Sequence, residues 1–363
     1  MRLISLFCFV LSLAMVVPSP AQWRKSAPGW TYVFPRDEFM HPDFKTEWWY
    51  FTGNLREQTS GRRFGYQLTF FRQGIRPPGE RSPAQSSFVT DHFWFAHFAI
   101  SDLHDQAFRS CETISRGVFG EAGSGDGTRI VWIGDWELRQ PEPGAYALRA
   151  SNDGMELALE LQSAKPPVFH GKDGISAKSP DAGNASHYFS HTRLSTRGTL
   201  RLGARTFQVE GASWFDREWS TSVLGKGVSG WDWFSIHLEE DVELMLFQLR
   251  HPDGSSAFTS ATLVEADGRT RSLGNGEIRF KPGRTWKSPA SGAEYPIAWR
   301  AEIPSLDISL EVSAALPDQE LRLSTVSYWE GATQVQGTRQ GKPLRGTGYL
   351  EMTGYSSTLA ALR

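Results

Sequence analysis

Two short patterns each place an aromatic ring beside a group that can move a proton. His187 and Phe189 are separated by one residue, and so are Trp214 and Asp216. Alternate side chains of an extended strand share a face. Strands that bring both pairs to one cavity would therefore assemble an acid, an imidazole and two rings. A carboxyl in apolar surroundings has its charged form disfavoured and its pKa raised, which suits it to act as a general acid near neutrality. Aromatic faces attract a developing cation, and an imidazole can orient or deprotonate water. These are the parts needed to protonate an alkene and add water. The same spacing also fits a plainer role, in which Asp216 pairs with Arg217 or with an arginine of a neighbouring strand.

His41, Glu47 and Trp48 form a second acid–base candidate. Trp48, Tyr50, Tyr66, His97, Trp231 and Trp233 are expected to line a cavity for a ligand, although His97, inside the aromatic run at 93–98, equally suits a satisfied core position. No His-Glu-x-x-His occurs and no His or acidic residues show compact ligand spacing, so no metal is expected. Gly227-Val228-Ser229-Gly230 carries Trp231 where a nucleophile elbow has its last glycine, which argues against a hydrolase. With no phosphate-binding loop and no dinucleotide fingerprint, no cofactor is expected.

The elements that must hold these residues read as strands. At 305–313 Leu306, Ile308, Leu310 and Val312 fall on one face, and at 155–161 Leu157, Leu159 and Leu161 do the same, the period of a half-buried strand. Asp153-Gly154, Asp253-Gly254 and Asp267-Gly268 suit tight hairpin turns. No long helical stripe follows the N-terminal segment. Stretches at 77–87 and 165–186, rich in Pro, Gly and Ser, read as loops, the second long enough to cover a cavity mouth. The fold class expected is all-β.

The sequence also repeats itself. Gly211-Ala212-Ser213-Trp214-Phe215-Asp216 and Gly346-Thr347-Gly348-Tyr349-Leu350-Glu351 are both Gly-x-x-aromatic-x-acid, and an aromatic pair precedes each, Tyr188-Phe189 and Tyr328-Trp329. Glu47-Trp48-Trp49-Tyr50 is echoed by Trp231-Asp232-Trp233-Phe234. This order predicts two tandem copies of one β-fold, at 22–219 and 220–363, with a junction near 217–230. The 363 residues exceed what one core usually supports.

A net charge of −2 with no basic run gives nucleic-acid binding no electrostatic footing. The 14 Trp residues suit pockets or interfaces as well as large β-cores. Arg2, an apolar run at 3–17, and the small residues Ser19 and Ala21 read as a secretory signal over 1–21, placing the mature chain in the periplasm or outside the cell. Its removal takes Cys8 and leaves Cys111, which is expected to be an inert thiol.

The motifs His41-Pro42-Asp43-Phe44-Lys45-Thr46-Glu47-Trp48-Trp49-Tyr50, Ala212-Ser213-Trp214-Phe215-Asp216-Arg217-Glu218-Trp219, Gly230-Trp231-Asp232-Trp233 and Gly348-Tyr349-Leu350-Glu351 occur in an order that resembles the AttH and carotenoid 1,2-hydratase group, whose members are often labelled secreted hydrolases. The resemblance implies two tandem lipocalin-like antiparallel β-barrels and an apolar, isoprenoid-like or lipid-like partner. It implies Asp216 as proton donor, His187 as the residue handling water, and Phe189 and Trp214 as rings shielding a cation. In the hydratases the first pair carries Trp and the second Tyr, where this chain has Phe189 and Trp214, a departure that bears on the carotenoid substrate and not on the fold. Three functions remain open: a cofactor-free hydratase, a periplasmic carrier of an apolar molecule, and a hydrolase. Export leaves room for association with a membrane surface or an ABC transporter.

Overall fold

The computed structural model describes residues 22–80, 86, 88–152, 154–179, 183–222 and 224–356. The signal segment at 1–21, Asp153 of the first Asp-Gly turn, and parts of the two predicted loops lie outside the described residues. The fold is all-β and antiparallel. The first sheet is formed by β1 (Thr46–Glu57), β2 (Arg63–Gly74), β3 (His92–Asp102), β4 (Ala107–Ser115), β5 (Ala122–Asp126), β6 (Arg129–Ile133), β7 (Trp136–Glu142), β8 (Ala145–Asn152), β9 (Met155–Ser163), β10 (Val168–Phe169), β11 (Ile175–Ala177), β12 (Ala185–Leu202) and β13 (Arg205–Ser220). The second contains β14 (Gly230–Leu238), β15 (Val242–Arg250), β16 (Ser256–Val264), β17 (Thr270–Leu273) and β18 (Arg279–Pro282). After the small hairpin β19 (Thr285–Lys287) and β20 (Glu294–Pro296) it continues with β21 (Ala298–Ile303), β22 (Ile308–Ala314), β23 (Glu320–Arg322), β24 (Ser327–Arg339) and β25 (Lys342–Met352).

The first sheet runs β4-β3-β2-β1-β13-β12-β9-β8-β7-β6-β5 and curls into a nearly closed barrel. The second runs β17-β16-β15-β14-β25-β24-β22-β21-β18. In each, the first and last long strands pair, β1 with β13 and β14 with β25, which closes a chain of hairpins on itself. The alternation in β9 is as the sequence predicts, with Met155, Leu157, Leu159 and Leu161 buried. The predicted strand at 305–313 starts later, at Ile308, because Pro304–Leu306 is a 3-10 turn and Asp307 takes a φ of 50°. The predicted loop at 165–186 is partly strand, since β10 and β11 both pair with β12.

The barrels do not enclose the cavities expected of them. Trp49, Phe51, Phe70, Phe98, Leu148 and Phe215 fill the first interior, and Phe234, Leu246, Leu310, Trp329 and Leu350 fill the second. Large rings on the inward positions of successive strands leave no room. The barrels instead pack against each other through outer faces of β1–β3, β12 and β13 on one side and β14, β15, β24 and β25 on the other. The approach is close enough to require a glycine: a Cβ on Gly65 would stand 2.7 Å from Ala332 Cβ.

Candidate active site

A cavity of about 470 Å³ lies between the two barrels. Even-numbered residues of β1 and odd-numbered residues of β2 and β3 point outward, so Trp48, Tyr50, Phe71, Phe95 and His97 form the first barrel's wall. Trp231, Trp233, Phe247 and Leu249 form the facing wall, and the turn at 323–327 between β23 and β24 closes one side. His97 ties that turn down, with Nδ1 3.0 Å from the Tyr328 hydroxyl and Nε2 3.1 Å from Thr325 Oγ1. Burial lowers the His97 pKa to about 3, so the ring is neutral.

Asp216 reaches this cavity from β13. Trp214 Nε1–H donates to its Oδ1 over 2.6 Å, Tyr188 O–H donates to its Oδ2 over 2.7 Å, and Ser190 O–H donates to Oδ1. Tyr188 in turn accepts from Trp233 Nε1–H at 3.1 Å. Behind Ser190 lies His170, with Nε2 2.6 Å from Ser190 Oγ and Nδ1 2.9 Å from Thr262 Oγ1. Because Ser190 spends its proton on Asp216, Nε2 carries the His170 proton and Nδ1 accepts from Thr262. Burial pushes the Asp216 carboxyl up to about 7, and the donors from Ser190, Tyr188 and Trp214 only partly oppose it. Arg217, its sequence neighbour, points into the barrel, and among the described residues Asp216 makes no ion pair. Lys178, the cation on the cavity wall, is 2.9 Å from Glu218.

The structure separates several predicted partners from Asp216. His187 and Phe189 are buried on the opposite face of β12, among Trp30, Tyr32, Phe44 and Trp219. The cause is a bulge between His191 and Leu194. Counted back from the tight turn at 203–204 without it, Asp216 would sit opposite His191 and share a face with His187 and Phe189. One extra residue moves Asp216 opposite Ser190, and every side chain beyond changes face. Burial also lowers the His187 pKa to about 4. Tyr66 points into the first barrel, donating to Ser213 Oγ at 2.7 Å. Trp214 lies behind the wall as a hydrogen-bond donor rather than on it. Ser190 and His170 had no motif to announce them, and Tyr188 stood out only as half of the repeated aromatic pair; what places them beside Asp216 is the parity of β12 once the bulge is known.

His41 and Glu47 belong to a different construction. Glu47 pairs with Arg72 and Arg217, all three fully buried at one end of the first barrel. His41 donates its backbone N–H to both Glu47 oxygens at 3.2 and 3.0 Å, stacks on Trp219 at 3.8 Å, and has Nε2 3.0 Å from Asp37. Burial works against the Glu47 charge, but the two guanidiniums hold its carboxyl well below the usual range. This is a structural plug, remote in face from the cavity. Cys111 is half-buried, its thiol pushed up to about 11 by burial, which leaves little thiolate near neutrality.

The similarities of the chain agree with this architecture. A crystal structure of a protein from Nitrosomonas europaea assigned to AttH is 34% identical, with a TM-score of 0.83, and the match covers 92% of this chain and 100% of that one. Kievitone hydratase from Fusarium solani subsp. phaseoli is 26% identical over 170 residues, covering 43% of this chain and 46% of that protein. Dehydratase asqC from Emericella nidulans is 23% identical over 221 residues, covering 56% of this chain and 60% of that protein. The chain thus spans about half the length of these curated relatives. The family model described as AttH-like matches residues 25–355, from ahead of the first barrel to the end of the second, and the chain belongs to the AttH-like family.

Proposed function

We propose that the inter-barrel cavity catalyses addition of water to a carbon–carbon double bond of an apolar substrate, or the reverse elimination. The observation that carries this reading is Asp216: a buried carboxyl with no ion pair among the described residues, braced by three donors, at the wall of an aromatic cavity. Protonated, it delivers a proton to an alkene carbon. The cation left on the adjacent carbon faces the rings of Trp48, Tyr50, Trp231 and Trp233, whose quadrupoles stabilise it. Water then closes the carbon–oxygen bond. Read backwards, the same groups remove water from an alcohol. The names of the hydratase and dehydratase relatives support the reaction class. A volume near 470 Å³ falls in the range that suits a drug-sized ligand rather than a long polyene.

A carrier would share the apolar walls but has no use for cation stabilisation, and this separates the two readings. Benzyltrimethylammonium and the neutral hydrocarbon neopentylbenzene have nearly the same shape. Tryptophan fluorescence titration is expected to show the ammonium binding at least ~10-fold tighter, the equivalent of one to two cation–π contacts. Equal or weaker binding of the ammonium would favour a carrier.

A further inference from the structure

The repeated sequence motif has a three-dimensional counterpart that gives the cavity a second acid. In the first barrel Tyr50, Asp216 and Ser190 form one row across β1, β13 and β12. In the second, Trp233, Glu351 and Glu330 form the corresponding row across β14, β25 and β24. Each acid has an aromatic residue two places before it, Trp214 or Tyr349, and each inner residue has a tyrosine two places before it, Tyr188 or Tyr328. The rows meet where Tyr50 and Trp233 pack edge to face at 5.1 Å. Asp216 and Glu351 are therefore one position of the repeat presented twice, and both side chains line the same cavity.

The copies differ where Ser190 is replaced by Glu330. Glu330 is fully buried, and among the described residues neither of its oxygens makes a hydrogen bond of ordinary geometry, although the Tyr50 and Tyr328 phenols lie beside it. The Tyr50 hydroxyl, which faces Glu330, likewise makes no hydrogen bond of ordinary geometry among the described residues. Buried polar groups left this way are costly unless water or a ligand reaches them. Glu351, nearer the cavity, accepts the Trp231 indole N–H on Oε2 at 2.9 Å, its one hydrogen bond among the described residues. Its charged neighbours are Asp216 and Glu218 on β13 and Glu330 on β24, while Lys178 is engaged by Glu218. Burial pushes Glu351 up to about 7, with Asp216 and Glu218 adding to it, and burial together with Glu351 raises Glu330 well above the usual range. Of the two adjacent carboxyls, the deeper Glu330 keeps its proton and Glu351 is the one that ionises.

We propose that Glu351, backed by Glu330, is the base of the site and handles the water that His187 is too far removed to touch. This rests on the hydration reading above. In the forward direction the Asp216 proton becomes the new C–H bond, a water oxygen forms the C–O bond, and the water proton goes to the Glu351 carboxylate. Return of that proton to Asp216 through solvent completes the cycle, and net one water is added. In elimination Glu351 protonates the departing hydroxyl and Asp216 takes the C–H proton.

The test uses the full chain. Calorimetric titration of benzyltrimethylammonium near neutral pH, in two buffers of different ionisation enthalpy, counts the protons released as the bound cation draws the carboxyls into their charged form. Glu351→Gln is expected to lose about half a proton of that release while Asp216→Asn keeps the Glu351 share. Glu330→Gln mimics the neutral Glu330 side chain and is expected to keep the release; loss of release there would make Glu330 the group that ionises and overturn the assignment. Unchanged release in Glu351→Gln would overturn the assignment. If the ammonium fails to bind the wild type, the hydration reading itself falls. An infrared pH titration of the unliganded chain still decides Glu351: of the two protonated-carboxyl signals lost on passing through neutrality, Glu351→Gln must remove one and leave that of Asp216, while Asp216→Asn must keep the one that Glu351→Gln removes.

Discussion

Replacing Asp216 by Asn is expected to lower turnover by about 10²–10⁴-fold, the usual contribution of a positioned proton donor, while leaving affinity for neopentylbenzene unchanged. The amide keeps the volume and can still accept from Trp214 and Ser190, so the cavity keeps its shape. What it cannot do is deliver a proton. The stability consequence has a definite sign. The folded pKa, about 7, lies above that of an unfolded aspartate. The folded state therefore holds this proton more tightly than the unfolded state. The contribution is fully present below about pH 4 and is lost as pH rises through about 7. Above neutrality wild type keeps an uncompensated buried charge that Asp216→Asn lacks, so the variant is expected to melt no lower, and above about pH 7 higher, than wild type. An aspartate held for structure by an ion pair would give the opposite result, a loss of stability with little effect on chemistry. Wild-type hydration should also fall as pH rises above about 7, because the acid must be protonated to act. Full turnover in Asp216→Asn, or a lowered melting temperature with turnover retained, would remove Asp216 from the mechanism.

The fold was largely readable because it rests on local signals: period-two alternation in β9, Asp-Gly turns such as that at Gly254, and the doubled Gly-x-x-aromatic-x-acid motif. Asp216, Trp48, Tyr50, His97, Trp231 and Trp233 line one cavity, but alternation fixes only which side chains share a face, and that face is the outer one rather than the barrel interior. The errors arose where a non-local fact decides. The bulge in β12 has no sequence mark, yet it exchanges His187 and Phe189 for Tyr188 and Ser190 beside Asp216. The cavity lies between barrels rather than inside one because large inward rings fill both interiors, and packing volume cannot be summed from a single strand. Glu351 was visible in the repeat, but only the register of β24 and β25 sets Glu330 beside it. The motif around His41 and Glu47 stood out equally in sequence, and its chemistry is that of a plug. A charge pattern can advertise a structural site as loudly as a catalytic one.

That plug carries the second large effect. Glu47 is fully buried and is the counter-charge of both Arg72 and Arg217. The two arginines extend its reach: Arg217 donates to the Phe39 carbonyl at 2.6 Å and stands 4.1 Å over the Trp49 ring, and Arg72 donates to the His41 carbonyl at 3.2 Å. Together they fasten the segment at 37–45 across the end of the first barrel. Glu47→Gln preserves shape but leaves two guanidiniums in a dry interior without a counter-charge. Breaking one buried pair costs about 3–5 kcal/mol, a large part of the 5–15 kcal/mol that holds a typical domain. The melting temperature is expected to fall on the order of 10 °C. A triple variant with Met at Glu47, Arg72 and Arg217 should recover part of that loss, since no charge is then stranded. Recovery stays incomplete because the carbonyls of Phe39 and His41 lose their donors. Calorimetric scans of the single and triple variants decide the matter. An unchanged transition in Glu47→Gln would mean the network is not what holds the segment. A single variant that melts normally but loses turnover would restore His41 and Glu47 as an acid–base pair.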